Sequence, residues 1–263
     1  MTGAKKPIPT RVIIGITGAS GSVYGVCAIR VLLKMGVEVH LIVSETGEKV
    51  LRYECGIGAD QIGEGVKRHD VSDLFSPVAS GTYPVASMAI VPCSMNTLGM
   101  LANGLAPNLL LRCADVTLKE CRPLVIVPRE APLNASHLEN MLRLARMGAR
   151  IVPLAPAFYH RPTSLRELIA PTVARIVSML GVTGLRAPVW TGGVQVGTQE
   201  DEDAVGQLRD VLRAHDASVP GWGSYPDPAL APGQDQRPKV SDYRDFVLDL
   251  IGAVVESLCP NDH

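Results

Sequence analysis

The sequence predicts an α/β fold, a doubly wound parallel sheet with helices on both faces. Short β-branched runs of strand length alternate with stretches whose apolar residues recur at helical spacing. The strand runs are also continuously apolar, as strands buried on both faces are, and do not alternate apolar with polar. A chain of 263 residues accommodates one such domain with an appendage better than two full domains.

Arg11 to Thr17 reads as the first strand, and Gly21 to Met35 follows as a helix with Val23, Val26, Cys27, Val31 and Leu32 on one side. Val37 to Val43 is a second strand and Glu45 to Tyr53 a second helix. Met88 to Val91 and Leu124 to Val127 are further strands, with helices around Leu98 to Ala102 and Leu109 to Glu120 between them. His137 to Met147 reads as a helix capped by Ser136, and Arg150 to Leu154 as a fifth strand. Ser164 to Leu180 is a long helix that Pro171 is expected to kink. The first 195 residues form the expected domain, and residues 196–263 an extension. Two amphipathic segments lie there, one over Ala204, Val205, Leu208, Val211 and Leu212, the other from Tyr243 to Leu258. A Pro/Gly-rich stretch, Pro220 to Pro238, joins them. The second stripe is too apolar to stay in water. A clasp on a neighbouring subunit is the favoured use, and a lid on the protomer's own core the alternative.

Composition narrows the function classes. With 25 basic and 26 acidic residues there is no cationic excess for nucleic acid or an anionic membrane. Met1 to Thr10 lacks the apolar stretch of a secretory signal, and no apolar run is long enough to span a bilayer. The six cysteines show neither CxxC pairing nor histidine partners at zinc spacing, so reduced buried thiols in a cytoplasmic protein are expected.

In a doubly wound sheet ligands bind beyond the carboxyl ends of the strands, so chemistry is sought there. The first strand runs into Gly15-Ile16-Thr17-Gly18-Ala19-Ser20-Gly21, where glycines permit close backbone approach and a helix N-terminus favours phosphate. The alternative is a tight structural turn. Ser44, Ser94 and Thr97 follow other strands; each alone is more often a helix cap than a ligand contact, but together they favour a site. Arg129-Glu130 would elsewhere be a plain surface ion pair, but directly after a buried strand it is expected to point into the crevice, where the arginine suits phosphate and the carboxylate proton transfer. Lys119 is either a solvated helix residue or a second cation. Cys93 has no basic partner near it in sequence and reads as a buried thiol. A nicotinamide reading has Glu45 as a ribose reader, but no tyrosine has a lysine four residues on, as a short-chain dehydrogenase requires.

GITGASGSVYG, SGTYPVASMAIVPCSMNTL, RCADVTLKECRPLVIVPREAPLNASHLENM and PAFYHRPTS resemble, in order and spacing, the UbiX-type flavin prenyltransferases, over about Arg11 to Trp190. The resemblance implies a flavodoxin-like sheet and a homo-oligomer, trimers assembled into a dodecamer with sites at trimer interfaces. It implies a metal-independent transfer from dimethylallyl (mono)phosphate to N5 and C6 of reduced FMN, the product serving UbiD-type decarboxylases. By motif, Gly18, Ala19 and Ser20 match the flavin loop, with Ser20 near N5, and Ser44, Ser94, Thr97 and Arg112 match FMN contacts. Lys119, Arg129, Tyr159 and Arg175 match the groups that hold the substrate phosphate. Glu130 matches the acid/base carboxylate and Glu54 an acidic residue near the site. Trp190 falls where the family carries a tryptophan facing the allyl cation; docking of the C-terminal segment is its other reading. Cys113 and Cys121 depart from the family pattern, and Pro171 puts the aim of Arg175 in doubt. A flavin-dependent cysteine decarboxylase of the same fold, or a non-catalytic FMN carrier or partner subunit, are the rival functions.

Overall fold

The computed structural model describes residues 10–185 and 240–259. Six strands form one parallel sheet in the order β3-β2-β1-β4-β5-β6: β1 (Arg11–Ile16), β2 (Glu38–Val43), β3 (Lys67–His69), β4 (Ser87–Cys93), β5 (Leu124–Pro128) and β6 (Arg150–Ile151). The helices are α1 (Ser22–Lys34), α2 (Glu45–Cys55), α3 (Met95–Ala102), α4 (Leu109–Lys119), α5 (Ala135–Arg146), α6 (Leu165–Met179) and α7 (Val240–Leu258). One face of the sheet, carrying Val12, Ile14, Ile16, Val39, Leu41, Ala89 and Val125, is covered by α1, α2, α6 and α7. The other, with Ile13, Ile42, Met88, Ile90 and Ile126, is covered by α3, α4 and α5. From β1 the chain builds outward through β2 and β3, then returns to place β4 on the other flank of β1. The strand order therefore reverses between β1 and β4, the topological switch point of the sheet.

The doubly wound parallel sheet matches the sequence reading, and three details depart from it. Edge strand β3 has no apolar residue in Lys67-Arg68-His69, so periodicity gives no sign of it. The last strand is only two residues long, with Val152 still donating to the Ile126 carbonyl before Pro153 ends the ladder. Helix α5 is capped by Asn134, whose side chain accepts from the His137 N–H at 2.9 Å, and not by Ser136. Helix α6 continues across Pro171. A proline at 171 cannot donate to the carbonyl four residues back, that of Glu167. His160 Nε2–H donates to that oxygen at 2.9 Å and so supplies the missing bond.

Helix α7 lies on its own protomer. Val247, Ile251, Val254 and Leu258, spaced along one face, are buried in the α1/α6 side of the core, while Phe246 is half exposed. Arg244 packs over Gly56, where a Cβ would fall 2.6 Å from its Cγ and where φ is +66°. The neighbouring-subunit clasp is thus replaced by the plainer alternative, because the α1/α6 surface has an apolar strip that the stripe fits. The first amphipathic segment, Ala204 to Leu212, lies outside the described residues.

At the amino edge a polar chain ties three strands together. Glu38, first in β2, accepts from Arg11 Nε (3.0 Å), Lys67 Nζ (2.8 Å) and His40 Nε2 (3.0 Å). His40 Nδ1 meets His69 Nε2 at 2.8 Å, and His69 Nδ1 meets the Ser76 hydroxyl at 2.9 Å. Lys67 above all, with Arg11 and His40, holds the Glu38 carboxyl down to about 2 against desolvation. An ionised Glu38 requires His40 Nε2 to donate, so the neutral chain runs from Ser76 O–H to His69, from His69 Nε2–H to His40, and from His40 to the carboxylate. Burial lowers the pKa of both imidazoles, and the Lys67 and Arg11 charges act in the same direction on His40.

Two predictions follow from these contacts. Burying each of the four α7 side chains is worth about 1.5–3 kcal/mol before the entropy of ordering the helix is subtracted. A chain ending at Pro238 should therefore melt at least about 5 °C lower by calorimetry; an unchanged melting temperature would show that α7 contributes no net stability. Secondly, the unfolded state takes up protons at both histidines before the folded state does. Stability should fall as pH drops through about 6.5, with Glu38 adding to the loss only below about 4.5. Urea midpoints at about pH 7.5 and 5.5 should differ in the wild type and differ less in His69→Gln, which keeps hydrogen bonds without titrating. Equal pH slopes in the two proteins would contradict a neutral His40–His69 pair.

Candidate functional site

Gly18, Ala19, Ser20, Ser94, Thr97, Arg129 and Glu130 lie just past the carboxyl ends of β1, β4 and β5, around the switch point where doubly wound sheets bind ligands in a crevice. Gly18, Ala19 and Ser20 form the turn from β1 into α1. A Cβ on Gly18 would lie 2.5 Å from Thr46 Cγ2, so a larger residue cannot stand there beside the start of α2. Ser44 caps α2 by accepting from the Gly47 N–H at 3.0 Å. Ser94 caps α3 by accepting from the Thr97 N–H, and its hydroxyl lies 3.0 Å from that of Thr97. Each serine is thus a helix cap, and both caps stand at the carboxyl edge because the helices begin where the strands end.

The N-terminus of α1 holds an anion supplied by the chain itself. Gly21 and Ser22 both donate their N–H to Glu54 Oε2 at 2.9 Å, a bond made possible by φ of +108° at Gly21. The expectation that these amides cradle a phosphate is corrected accordingly: the Glu54 carboxylate occupies that position, where the helix dipole also favours it. It stands next to Ser20. The Ser22 hydroxyl is buried beneath this turn with no hydrogen-bond partner among the described residues, and so is His160 Nδ1. Because His160 Nε2 is the donor to Glu167, that Nδ1 is an acceptor.

Across the crevice, β5 ends at Pro128 and delivers Arg129 and Glu130, both exposed. The Arg129 N–H donates to the Cys93 carbonyl at 3.4 Å, and Glu130 Oε1 accepts from the Ala131 N–H at 3.0 Å. No described residue pairs with the Arg129 guanidinium, which leaves its charge available to an anion. The segment after β6 folds over the same end of the sheet: Leu154 donates to the Pro128 carbonyl, and its Cδ1 would lie 2.7 Å from a Cβ on Gly21. Tyr159 follows in that segment, half exposed, with its ring edge-on to His160 at 5.5 Å.

Three expected residues lie elsewhere. Lys119 ends α4 at the amino edge, paired with Glu120 beside Gly81. Arg122 in the next turn donates to the carbonyls of Gly81 and Tyr83, which precede β4. Lys119 and Glu130 therefore sit at opposite ends of β5. Arg175 is exposed on the second half of α6, which also descends to the amino edge, where Leu180 O accepts from Ser87 at the start of β4. Arg112, on α4, donates to the Ala79 carbonyl and pairs with Asp115 at 3.0 Å, away from the β1/β4 crevice. Trp190 lies outside the described residues. Cys93 is fully buried and burial pushes its thiol far up, in agreement with an inert core cysteine; Cys27 and Cys55 are pushed up to about 12 by the same cause.

Sequence reasoning missed Thr17, the residue that joins the two walls of the crevice. Its signal was a threonine at the end of a buried strand directly before the glycine turn, where a hydroxyl replaces an expected apolar side chain. A separate groove of about 560 Å³ runs between α2 and β3 along Ser44, Glu48, Arg52, Asp60, Arg68 and His69. Its arginines are already engaged with Glu48 and Asp60, so it offers an anion little.

Comparison with known proteins gives the family and the fold. The family model described as Flavoprotein matches residues 4–179. A flavin prenyltransferase UbiX from Methanothermobacter thermautotrophicus is 42% identical over 182 residues, covering 69% of this chain and 95% of its own length. The UbiX of Halalkalibacterium halodurans is 46% identical, covering 64% of this chain and 87% of itself. Among solved structures, AnUbiX (PadA1) in complex with FMN and dimethylallyl pyrophosphate superposes with a TM-score of 0.65 at 37% identity, over 66% of this chain and 94% of that one. A dodecameric FMN-dependent UbiX-like decarboxylase from Escherichia coli O157:H7 gives 0.67 at 38% identity, over 70% and 100%.

Proposed function

The chain belongs to the Flavoprotein family, among its UbiX flavin prenyltransferases, and on that basis we propose that it transfers a dimethylallyl group from dimethylallyl phosphate to reduced FMN. The observation that carries this reading within the molecule is the Arg129-Glu130 pair at the rim of the switch-point crevice. An arginine that no described residue pairs with stands beside an exposed carboxylate just past the carboxyl end of β5, on the sheet edge that also carries the glycine turn after β1.

The crevice suits a flavin. Hydroxyls of Ser20, Ser94 and Thr97 at this edge are hydrogen-bonding groups for a ring system rich in heteroatoms. Reduced FMN, when bound, supplies the nucleophilic N5 and C6 positions that accept the allyl group. The remaining work belongs to the chain. Arg129 binds the phosphate and stabilises the negative charge that grows on it as the allylic C–O bond breaks. Tyr159 adds a hydroxyl donor and an aromatic face toward the carbon, where positive charge develops. Glu130 would move the protons that ring closure needs, giving one to the allyl double bond so that its carbon can bond C6 and taking the one that C6 releases, and the Glu54 carboxylate, fixed by two amides, holds the turn that carries Ser20.

Lys119 and Arg175 join the phosphate site from other copies of the chain. Their position at the far edge of the sheet supports this, since one protomer does not bring them to Glu130, and the E. coli relative is dodecameric. Arg112 meets the flavin from the same direction. A cytoplasmic setting belongs to this reading, because reduced flavin and six free cysteines both suit reducing surroundings. The product passes to a UbiD-type decarboxylase.

Two outcomes test the proposal. Protein incubated anaerobically with reduced FMN and dimethylallyl monophosphate should yield, by mass spectrometry, a flavin heavier by one C5H8 unit, with or without chelator. Loss of product with chelator and its return with magnesium would refute a mechanism in which side-chain cations alone neutralise the phosphate. In Glu130→Gln, FMN binding should persist while product formation slows by about 100-fold or more. Wild-type turnover in that variant would remove Glu130 from the proton transfer.

A further inference from the structure

The β1–β4 ladder pairs Val12 with Ser87 through Gly15 with Ile90 and then stops, and just past that point β4 shifts register against β5, between Ile90 and Cys93. Beyond that point the two strands are joined by one residue. Thr17 is 1% exposed; its N–H donates to the Pro92 carbonyl at 3.2 Å, and its Oγ1–H donates to the same oxygen at 2.9 Å. The Ser94 N–H in turn donates to Thr17 Oγ1 at 2.7 Å. The hydroxyl thus stands in for a backbone peptide group, offering the donor and the acceptor that the interrupted ladder no longer supplies.

These bonds span the switch point. On one side Thr17 is followed at once by Gly18, Ala19 and Ser20. On the other, Ser94 caps α3 and contacts Thr97. We propose that Thr17 is a positioning residue for the flavin site: its hydroxyl fixes the distance and register between the glycine turn and the Ser94–Thr97 turn, so that the two sets of hydroxyls face one ligand. The role rests on the flavin reading above, and Thr17 is buried away from the reacting atoms.

Other carboxyl-edge links are backbone bonds that any residue makes: Ser44 to the Ile16 carbonyl, Arg129 to that of Cys93 and Leu154 to that of Pro128. The β1–β4 link alone among these adds side-chain bonds to its backbone bond, Thr17 N–H to the Pro92 carbonyl, so substitution at Thr17 removes the side-chain part and leaves the backbone bond in place. Thr17→Val keeps the shape and deletes the hydroxyl, leaving the Ser94 N–H without its acceptor. Thr17→Ser keeps the hydroxyl and deletes the methyl.

The test is FMN titration by fluorescence quenching on the full chain, with melting temperature and amide exchange at Ser94 recorded alongside. Thr17→Val should weaken FMN binding by about tenfold or more and speed Ser94 exchange, while Thr17→Ser restores binding to within about threefold of wild type. Should the valine variant fail to fold, Thr17→Cys, which keeps the volume and weakens both bonds, takes its place with the same expectation. Wild-type affinity in the valine or cysteine variant overturns the role of Thr17 alone. A serine variant as weak as the valine variant overturns it too, because the methyl would then be what matters. Failure of the wild type to bind FMN overturns the flavin reading, and the role of Thr17 with it.

Discussion

At the carboxyl edge of the sheet two helices rest directly on strand carbonyls. A Cβ on Gly25 of α1 would lie 2.4 Å from the Val91 oxygen, and one on Gly47 of α2 would lie 2.7 Å from that of Ile16. No side chain other than hydrogen allows either approach. With α1 lowered onto β4 in this way, its first turn stands over the switch point, and Gly21 and Ser22 are aimed at Glu54 on α2. The crevice, the capped glycine turn and the seating of Leu154 against Gly21 all depend on that contact. Larger helix spacing would leave the same residues present but separated, and a site that is loose by an ångström loses much of its catalytic power.

Where the sequence was legible, one physical signal was enough. β1, β2, β4 and β5 are short runs of branched apolar residues, buried on both faces, and composition alone marks such strands. Where it was not, the deciding partner lay far along the chain. β3 forms from charged residues because Glu38 and His40 on β2 offer it an ion pair and an imidazole. α6 survives Pro171 because His160 serves the carbonyl that the proline cannot. Read locally, that proline ends or bends a helix; read with its partner, it is one half of a pair. The phosphate expectation at α1 erred in the same way, since Glu54 is 33 residues from Gly21 and only the fold brings it there. The residues grouped by motif were likewise split by the sheet: Ser20, Ser94, Thr97, Arg129 and Glu130 share the carboxyl edge, whereas Lys119 and Arg175 do not.

That split bears on how such an enzyme divides its labour. In the function proposed above, a protomer would present its flavin-facing groups at one edge and part of its phosphate-binding charge, Lys119 and Arg175, at the other. Cations held apart from Arg129 do not repel it within the isolated chain, and like charges converge only when an anion or a second copy is there to compensate them. On that proposal, assembly and substrate binding would be coupled.

Helix α7 closes the core from a position about 60 residues beyond the end of α6. On the ribosome, β1 through α6 emerge first, so the sheet is complete while the strip awaiting Val247, Ile251, Val254 and Leu258 is still bare. At roughly 5–20 residues per second, that interval lasts several seconds in which an apolar groove is open to other nascent chains. Closing so long a connection costs little more than closing a short one, because loop entropy grows only with the logarithm of length. The delay is therefore kinetic in character: the cell must shield a half-covered domain until its own last helix arrives.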